Sequence, residues 1–185
     1  MSSPVMVRFT AGNEGAWVIT EVHSVVGESL ATGARLAVTE APLAAAPGVW
    51  TLSGTTSNVR YANRAEVTAL RARQAGLDRP EATRAALIPV RKSEAWWALA
   101  QDERRDILEE QSRHTAIGMD YLPQIARRLH HSRDLGEPFD FLTWFEFAPE
   151  HEAAFDALLV RLHATPEWTY VEREVDIRLE REPNK

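Results

Sequence analysis

Residues 87–147 read LIPVRKSEAWWALAQDERRDILEEQSRHTAIGMDYLPQIARRLHHSRDLGEPFDFLTWFEF, and this stretch decides the fold of the 185-residue chain. Apolar residues first recur at helical spacing, and Pro123 interrupts that pattern. Residues 125–131 then change to the two-residue period of a β-strand. A turn at 136–138 leads into the aromatic run 139–147, so a hairpin follows the helix. This order predicts an antiparallel sheet that packs against helices.

The first part of the chain divides into short elements at its glycines and prolines. β-Branched and aromatic residues predict four strands there, at 5–9, 16–25, 35–39 and 49–54. A helix is predicted at 64–75, and the apolar segment 84–90 forms a further short element. Ser93 is a candidate N-cap for a short helix, and Asp102 for a longer one that ends near residue 121.

The C-terminal part predicts a helix that opens at Pro149, followed by a strand at 169–179. This strand carries apolar residues on one face, namely Val171, Val175, Ile177 and Leu179. We therefore expect an α+β fold of two ferredoxin-like modules, with antiparallel sheets and helices on the outer face. The expected halves are a shorter one at residues 1–88 and a second one at 89–185.

Composition excludes several classes of protein. The chain has no cysteine, which excludes disulfides, iron–sulfur clusters and thiolate-bound or covalently attached haem. Its net charge of −6 disfavours nonspecific binding to nucleic acid or to anionic membranes. No signal peptide and no apolar run of membrane-spanning length is visible. We expect a cytoplasmic protein.

His114 and Arg127 are the candidate functional residues. A neutral imidazole can ligate a metal ion, and His114 shares a predicted helix face with Gly118. Glycine inside a helix costs about 1 kcal/mol relative to alanine, and clearance for a flat macrocycle would explain it. Arg127 lies on the inward side of its strand, where an arginine needs a partner. The alternatives are a core histidine that is satisfied by hydrogen bonds and a structural or rim arginine.

Lys92 and Trp96 are four residues apart, so an ammonium group and an indole could lie along one helix edge. They would suit the propionate and the edge of a porphyrin. The alternative is a surface lysine that lies over a core tryptophan.

Several long motifs resemble the chlorite dismutase family, in its short-subunit branch. They cover roughly residues 50–179 and read TSNVRY (56–61), ALIPVRKSEAWWAL (86–99), SRH at His114, YLP-x-x-ARRLHHSRDLGEPFDFLTWFEF (121–147) and EW-x-YVEREVDIRL (167–179). The resemblance implies two ferredoxin-like modules per subunit, non-covalent haem b in the C-terminal module, and a homodimer.

The resemblance also implies roles for individual residues. His114 would be the proximal iron ligand and Arg127 the distal arginine. Glu167 would bond the other nitrogen of His114, and Gln74 would contact Arg127 in one of its orientations. The remaining cofactor-binding residues would line the haem, the first four of them near its propionates: Asn58, Arg60, Tyr61, Lys92 and Trp96.

The activity implied by this resemblance is the conversion of chlorite to chloride and dioxygen, through a ferryl species and hypochlorite. An always-charged arginine suits an oxyanion substrate that needs no proton transfer. Three alternatives stay open: a coproporphyrin-haem decarboxylase, a haem peroxidase, and a haem-binding or sensing module without turnover.

Overall fold

The structure is a computed structural model that describes residues 4–56, 64–73 and 76–182, apart from the side chain of Arg71. The strands are β1 Met6–Gly12, β2 Trp17–Val26, β3 Arg35–Glu40, β4 Trp50–Thr56, β5 Arg84–Lys92, β6 Ala126–His131, β7 Phe141–Phe147 and β8 Val171–Glu180. The α-helices are α1 Arg64–Arg73, α2 Glu94–Ala98, α3 Gln101–Arg105, α4 His114–Asp120 and α5 Glu152–His163. Short helical turns lie at Asp106–Gln111, Arg133–Leu135, Pro149–His151 and Pro166–Tyr170.

The strands close into one antiparallel barrel with the order β1-β3-β2-β8-β5-β7-β6-β4. Strand β5 lies between β7 and β8, and Leu87 is paired with Trp144 on one side and Ile177 on the other. Within the described residues, the β4–β6 seam pairs Thr55 with His131 and Thr56 with His130. The expected α+β fold with antiparallel strands is confirmed, although the sheets join into a single barrel. The expected boundary at residues 88 and 89 lies inside β5.

Two apolar clusters fill the two sides of the barrel wall. Side chains alternate along each strand, so Leu142 and Trp144 of β7 point into the barrel while Phe145 and Phe147 point outward. The outer cluster packs against α5 through Phe155, whose ring stacks on Phe147 at 4.7 Å. Helices therefore cover the outer face of the C-terminal strands, as expected. None of the described helices is long and apolar enough to cross a membrane.

The single long helix predicted from Asp102 to about residue 121 is wrong. Helix α3 begins earlier, at Gln101, and gives way to a π-turn at Asp106–Gln111. Arg113 then adopts a left-handed conformation with φ 53°, and a new helix starts at His114. Glu109 stabilises this break, because its carboxylate accepts hydrogen bonds from the backbone N–H and the hydroxyl of Thr115. His114 therefore lies at the start of a helix rather than in the middle of one.

The predicted common face of the last strand is also wrong at one residue. Val175, Ile177 and Leu179 point into the barrel, but Val171 packs in the outer cluster. The β5–β8 pairing shifts register here, since Arg91 lies opposite Arg173 and Lys92 lies opposite Val171. This β-bulge inserts one extra residue, Glu172, so that Val171, which precedes it, lies on the opposite face from Val175.

Candidate functional site

His114 lies beside a buried carboxylate. Its Nδ1 is 2.7 Å from Oε2 of Glu167, which belongs to the turn Pro166–Tyr170. The Glu167 carboxylate is buried, whereas the His114 side chain is 27 % exposed. Nδ1–H is the donor to a carboxylate acceptor, so the Nε2 lone pair is left available for a metal ion. Nε2 has no hydrogen bond to any residue that the structure describes.

Two further groups fix Glu167. Lys92 Nζ is 2.7 Å from Oε1, and the Glu167 backbone N–H donates to Ser112 Oγ at 2.9 Å. Burial by itself would raise the pKa of Glu167, but the charges and hydrogen bonds of His114 and Lys92 outweigh it and hold this pKa at about 2. The carboxylate is therefore ionised at neutral pH and accepts a hydrogen bond through each oxygen.

Lys92 and Trp96 are in contact, although they belong to different elements. Lys92 ends strand β5 and Trp96 lies in α2, with Nζ 4.6 Å from the indole ring. The Lys92 side chain is only 3 % exposed, and its ammonium group is bound to Glu167. Its backbone N–H donates to Asp140 Oδ2 at 2.7 Å. Lys92 thus supports the carboxylate behind His114 rather than pointing outward to solvent.

Arg127 lies on the same outer face of the barrel as α4. It is opposite Phe145 of β7, whose ring belongs to the outer cluster. A Cβ at Gly118 would overlap the Arg127 guanidinium, so the absent side chain of Gly118 gives this group its room. Burial lowers the pKa of Arg127, and the charge of Glu109 offsets part of the effect. Arginine nevertheless stays protonated in proteins, so a permanent cation lies against α4 at Gly118, one helical turn after His114.

The structure thus brings five of the predicted residues, namely His114, Arg127, Glu167, Lys92 and Trp96, to the helix-covered side of the C-terminal strands. The other four, Asn58, Arg60, Tyr61 and Gln74, lie outside the described residues.

Sequence patterns did not identify Trp168, which lies beside His114, or Glu174 and His163, which contact Trp168. The Trp168 ring is nearly parallel to the His114 ring, at 15° with centroids 6.3 Å apart. Trp168 Nε1 donates to Oε2 of buried Glu174 at 2.7 Å, and Oε1 of Glu174 is 3.0 Å from Nε2 of His163. These contacts join a turn, a strand and a helix. The only signal in the sequence was that Trp168 directly follows Glu167.

The chain belongs to the chlorite dismutase family. The family model described as chlorite dismutase matches residues 18–181. A dimeric chlorite dismutase from Nitrobacter winogradskyi is 57 % identical in sequence, with a TM-score of 0.90 over 95 % of this chain and 99 % of that one.

The chain is also similar to more distant proteins. A curated chlorite dismutase from Ideonella dechloratans is 36 % identical over 84 residues, which are 45 % of this chain but only 27 % of that protein. A tryptophan variant of chlorite dismutase from Candidatus Nitrospira defluvii is 18 % identical and has a TM-score of 0.65 over 96 % of this chain. The last match shows a common fold.

Proposed function

We propose that this chain binds haem b through Nε2 of His114 and decomposes chlorite to chloride and dioxygen. The observation that carries the proposal is the buried Glu167, which accepts hydrogen bonds from His114 and Lys92 at 2.7 Å each. A carboxylate that holds the second nitrogen of an imidazole fixes its tautomer and raises its basicity as a ligand. The N. winogradskyi relative, itself a chlorite dismutase, supports the activity.

The residues present fit a haem group. His114 offers a single neutral nitrogen donor, and the chain has no cysteine that could attach a haem covalently. Gly118, one turn further along α4, makes room for the Arg127 guanidinium, the cation that would attract an anionic substrate. The Nε1 of buried Trp96 has no hydrogen-bond partner within the described part of the chain. When bound, haem iron supplies the oxygen-atom transfer that no amino-acid side chain can perform.

Arg127 binds the anions in this proposal. Its charge is permanent, so it would attract chlorite, and would keep any hypochlorite formed from it near the site, without any proton transfer. At about 4 Å and an effective dielectric constant near 20, the attraction is roughly 4 kcal/mol before desolvation. That energy is sufficient to retain the anion briefly without trapping it.

Residues outside the described part complete the proposed site. Asn58, Arg60 and Tyr61 would contact the haem near its propionates, and Gln74 would contact Arg127. These roles rest on the family resemblance alone. The contact between Lys92 and Glu167 favours a role for Lys92 behind His114 over a contact with a haem propionate.

We also propose that the barrel consists of two ferredoxin-like halves. Strands β5–β8 have the order β8-β5-β7-β6, with helices after β5 and β7. Strands β1–β4 have the equivalent order β4-β1-β3-β2, without helices between them. This repeat supports a complete second half that begins with β5, a few residues before the boundary expected at 88. The dimeric relative supports a homodimer, and the sequence-based prediction of a cytoplasmic location stands as a proposal.

The decisive experiment measures oxygen release from chlorite by the purified haem-loaded protein. We expect one O₂ and one chloride ion for each chlorite consumed, which balances the reaction. A protein that shows full Soret absorbance and releases no oxygen would be a haem-binding module. Decarboxylation of coproporphyrin-haem without oxygen release from chlorite would instead support the decarboxylase alternative.

A further inference from the structure

His114 makes a hydrogen bond that fixes the direction of its Nδ1–H but not the plane of its ring. A single donor–acceptor pair, here Nδ1 and Oε2 of Glu167 at 2.7 Å, still permits rotation about the line that joins the two atoms. A flat group parallel to the imidazole would limit that rotation. Trp168 is such a group, with an angle of 15° between the two rings.

Trp168 is itself anchored in the protein. Its Nε1–H donates to Oε2 of Glu174 at 2.7 Å. Glu174 is fully buried on β8, and its other oxygen is 3.0 Å from Nε2 of His163 on α5. The His163 ring also packs against Trp168, at 5.3 Å between centroids. The indole is therefore held by groups from a strand and from a helix, β8 and α5.

Buried carboxylates are costly unless they are well hydrogen-bonded. Glu174 is such a group, and within the described residues its carboxylate is bonded to Trp168 and His163. Neither bond is needed to close the barrel, whose pairing at Glu174 is made by the backbone with Val26 and Val90. The burial of the Glu174 carboxylate is explained if this group serves to orient Trp168.

We propose that Trp168, anchored by Glu174, is a positioning residue that fixes the plane of the His114 imidazole. This inference rests on the proposed haem ligation by His114. The orientation of an axial imidazole relative to the pyrrole nitrogens controls the asymmetry of the iron ligand field, which is one of the means by which a protein tunes haem. Trp168 thus complements Glu167: one group sets the direction of the imidazole, and its neighbour in sequence sets the ring plane.

The test compares electron paramagnetic resonance spectra of the haem-loaded ferric protein with cyanide as the second axial ligand. Trp168→Phe keeps an aromatic ring but removes the anchoring N–H, and Glu174→Ala keeps the indole but removes its acceptor. Both variants should bind haem and show a shifted and broadened low-field g-value. Glu174→Gln retains an acceptor oxygen for the indole, so it should restore the wild-type spectrum.

Trp144→Phe is a matched control. Trp144 donates its Nε1–H to the buried Glu146 at 2.8 Å, in the same way as Trp168 donates to Glu174, but it lies inside the barrel away from His114. Its loss should leave the g-values unchanged. Wild-type g-values and line widths in both Trp168→Phe and Glu174→Ala would overturn the inference. A wild-type chain that retains no haem after loading would instead refute the proposed function.

Discussion

The two halves of the barrel differ in what they bury. Among the described residues of β1–β4, Thr10 is the one buried polar side chain, and the other buried residues there are apolar. All buried ionisable side chains of the described chain lie at or beyond Lys92, including Glu146, Glu167 and Glu174. Burying charge is costly unless partners satisfy it. The difference teaches that strands β1–β4 serve as an apolar wall, while His114, Glu167 and Arg127 of the proposed site all lie in the C-terminal half.

The two halves nevertheless share one interior. Phe9 of β1 lies 5.6 Å from the Trp144 ring and 5.1 Å from the His130 ring, both of which belong to the C-terminal half. Neither half can therefore form this core alone. The comparison predicts that variants in strands β1–β4 change the stability of the whole barrel, whereas variants at the proposed site in the C-terminal half can change haem binding and turnover separately.

The largest expected effect is the loss of haem from His114→Ala, because the variant removes the proposed iron ligand. Haem content, measured as haem per chain and by Soret absorbance, should fall to a small fraction of that of the wild type. His23→Ala makes the same change at an exposed histidine of the N-terminal half and should retain haem fully. Equal haem content in the two variants would contradict the assignment of the ligand.

Glu167→Ala should destabilise the protein by about 3–5 kcal/mol, since it leaves the buried Lys92 ammonium without its carboxylate. Denaturant unfolding measures this loss. The double variant Lys92→Met/Glu167→Ala should recover much of it. The iron reduction potential should also rise in Glu167→Ala, because the imidazole becomes a weaker donor. An unshifted potential would remove Glu167 from the haem site.

Arg127→Ala should retain haem but slow chlorite turnover by a factor of about 10²–10³, equivalent to about 3–4 kcal/mol. It should also bleach faster as hypochlorite escapes. Arg128→Ala is the control, because its neighbouring guanidinium is bound instead to Glu40 and His130. Oxygen release and Soret decay measure both effects. A wild-type rate and lifetime in Arg127→Ala, unaffected by a hypochlorite scavenger, would contradict the proposed role.

Leu36→Ala tests the N-terminal half. Leu36 is fully buried in the barrel interior, and its truncation should lower the free energy of unfolding by about 2–5 kcal/mol. The folded variant should bind one haem per chain and release oxygen at the wild-type rate. A large loss of turnover with full haem content would show that the apolar half contributes more than a wall.

The smallest expected effect concerns acid stability and His130. Burial lowers its pKa to about 4, and its Nε2 accepts a hydrogen bond from Arg128 Nε at 3.2 Å. The unfolded chain takes up this proton near pH 6.5, so it binds more protons than the folded chain between pH 6.5 and 4. The free energy of unfolding should therefore fall by up to about 3 kcal/mol as the pH decreases through this range.

His130→Gln should remove this part of the pH dependence, because glutamine offers a donor and an acceptor but does not titrate. Urea unfolding at pH 7 and pH 4 checks the prediction. An equal decrease in stability for the wild type and His130→Gln would show that other groups cause the acid sensitivity.

Local patterns predicted most of the fold, because strand alternation and turn residues act over a few neighbouring positions. Strands β1–β4, the β6–β7 hairpin and helix α5 follow the predicted segments closely. Patterns failed where a particular side-chain hydrogen bond or the register between two strands decides the structure. The break before His114 depends on Glu109 bonding Thr115, and the position of Val171 depends on a register shift against β5.

The candidate site likewise contains residues that the sequence predicted and contacts that it did not. Family motifs brought His114, Glu167, Lys92 and Arg127 to attention, and the structure places them together. Arg127 lies on a strand and Gly118 on a helix, so helical spacing could not predict the contact between them. That spacing suggested only that Gly118 provides clearance. Glu174 and His163 belong to different elements, and no spacing in the sequence relates them to Trp168.

The β-bulge near the start of β8 lets one continuous segment of chain line both faces of the barrel wall. Beyond it, Val175 and Ile177 fill the interior. On its other side, Val171 packs outward, directly after the turn that carries Glu167 and Trp168. One additional residue thereby lets the chain pass from the outer surroundings of His114 into the interior wall without a break in the strand.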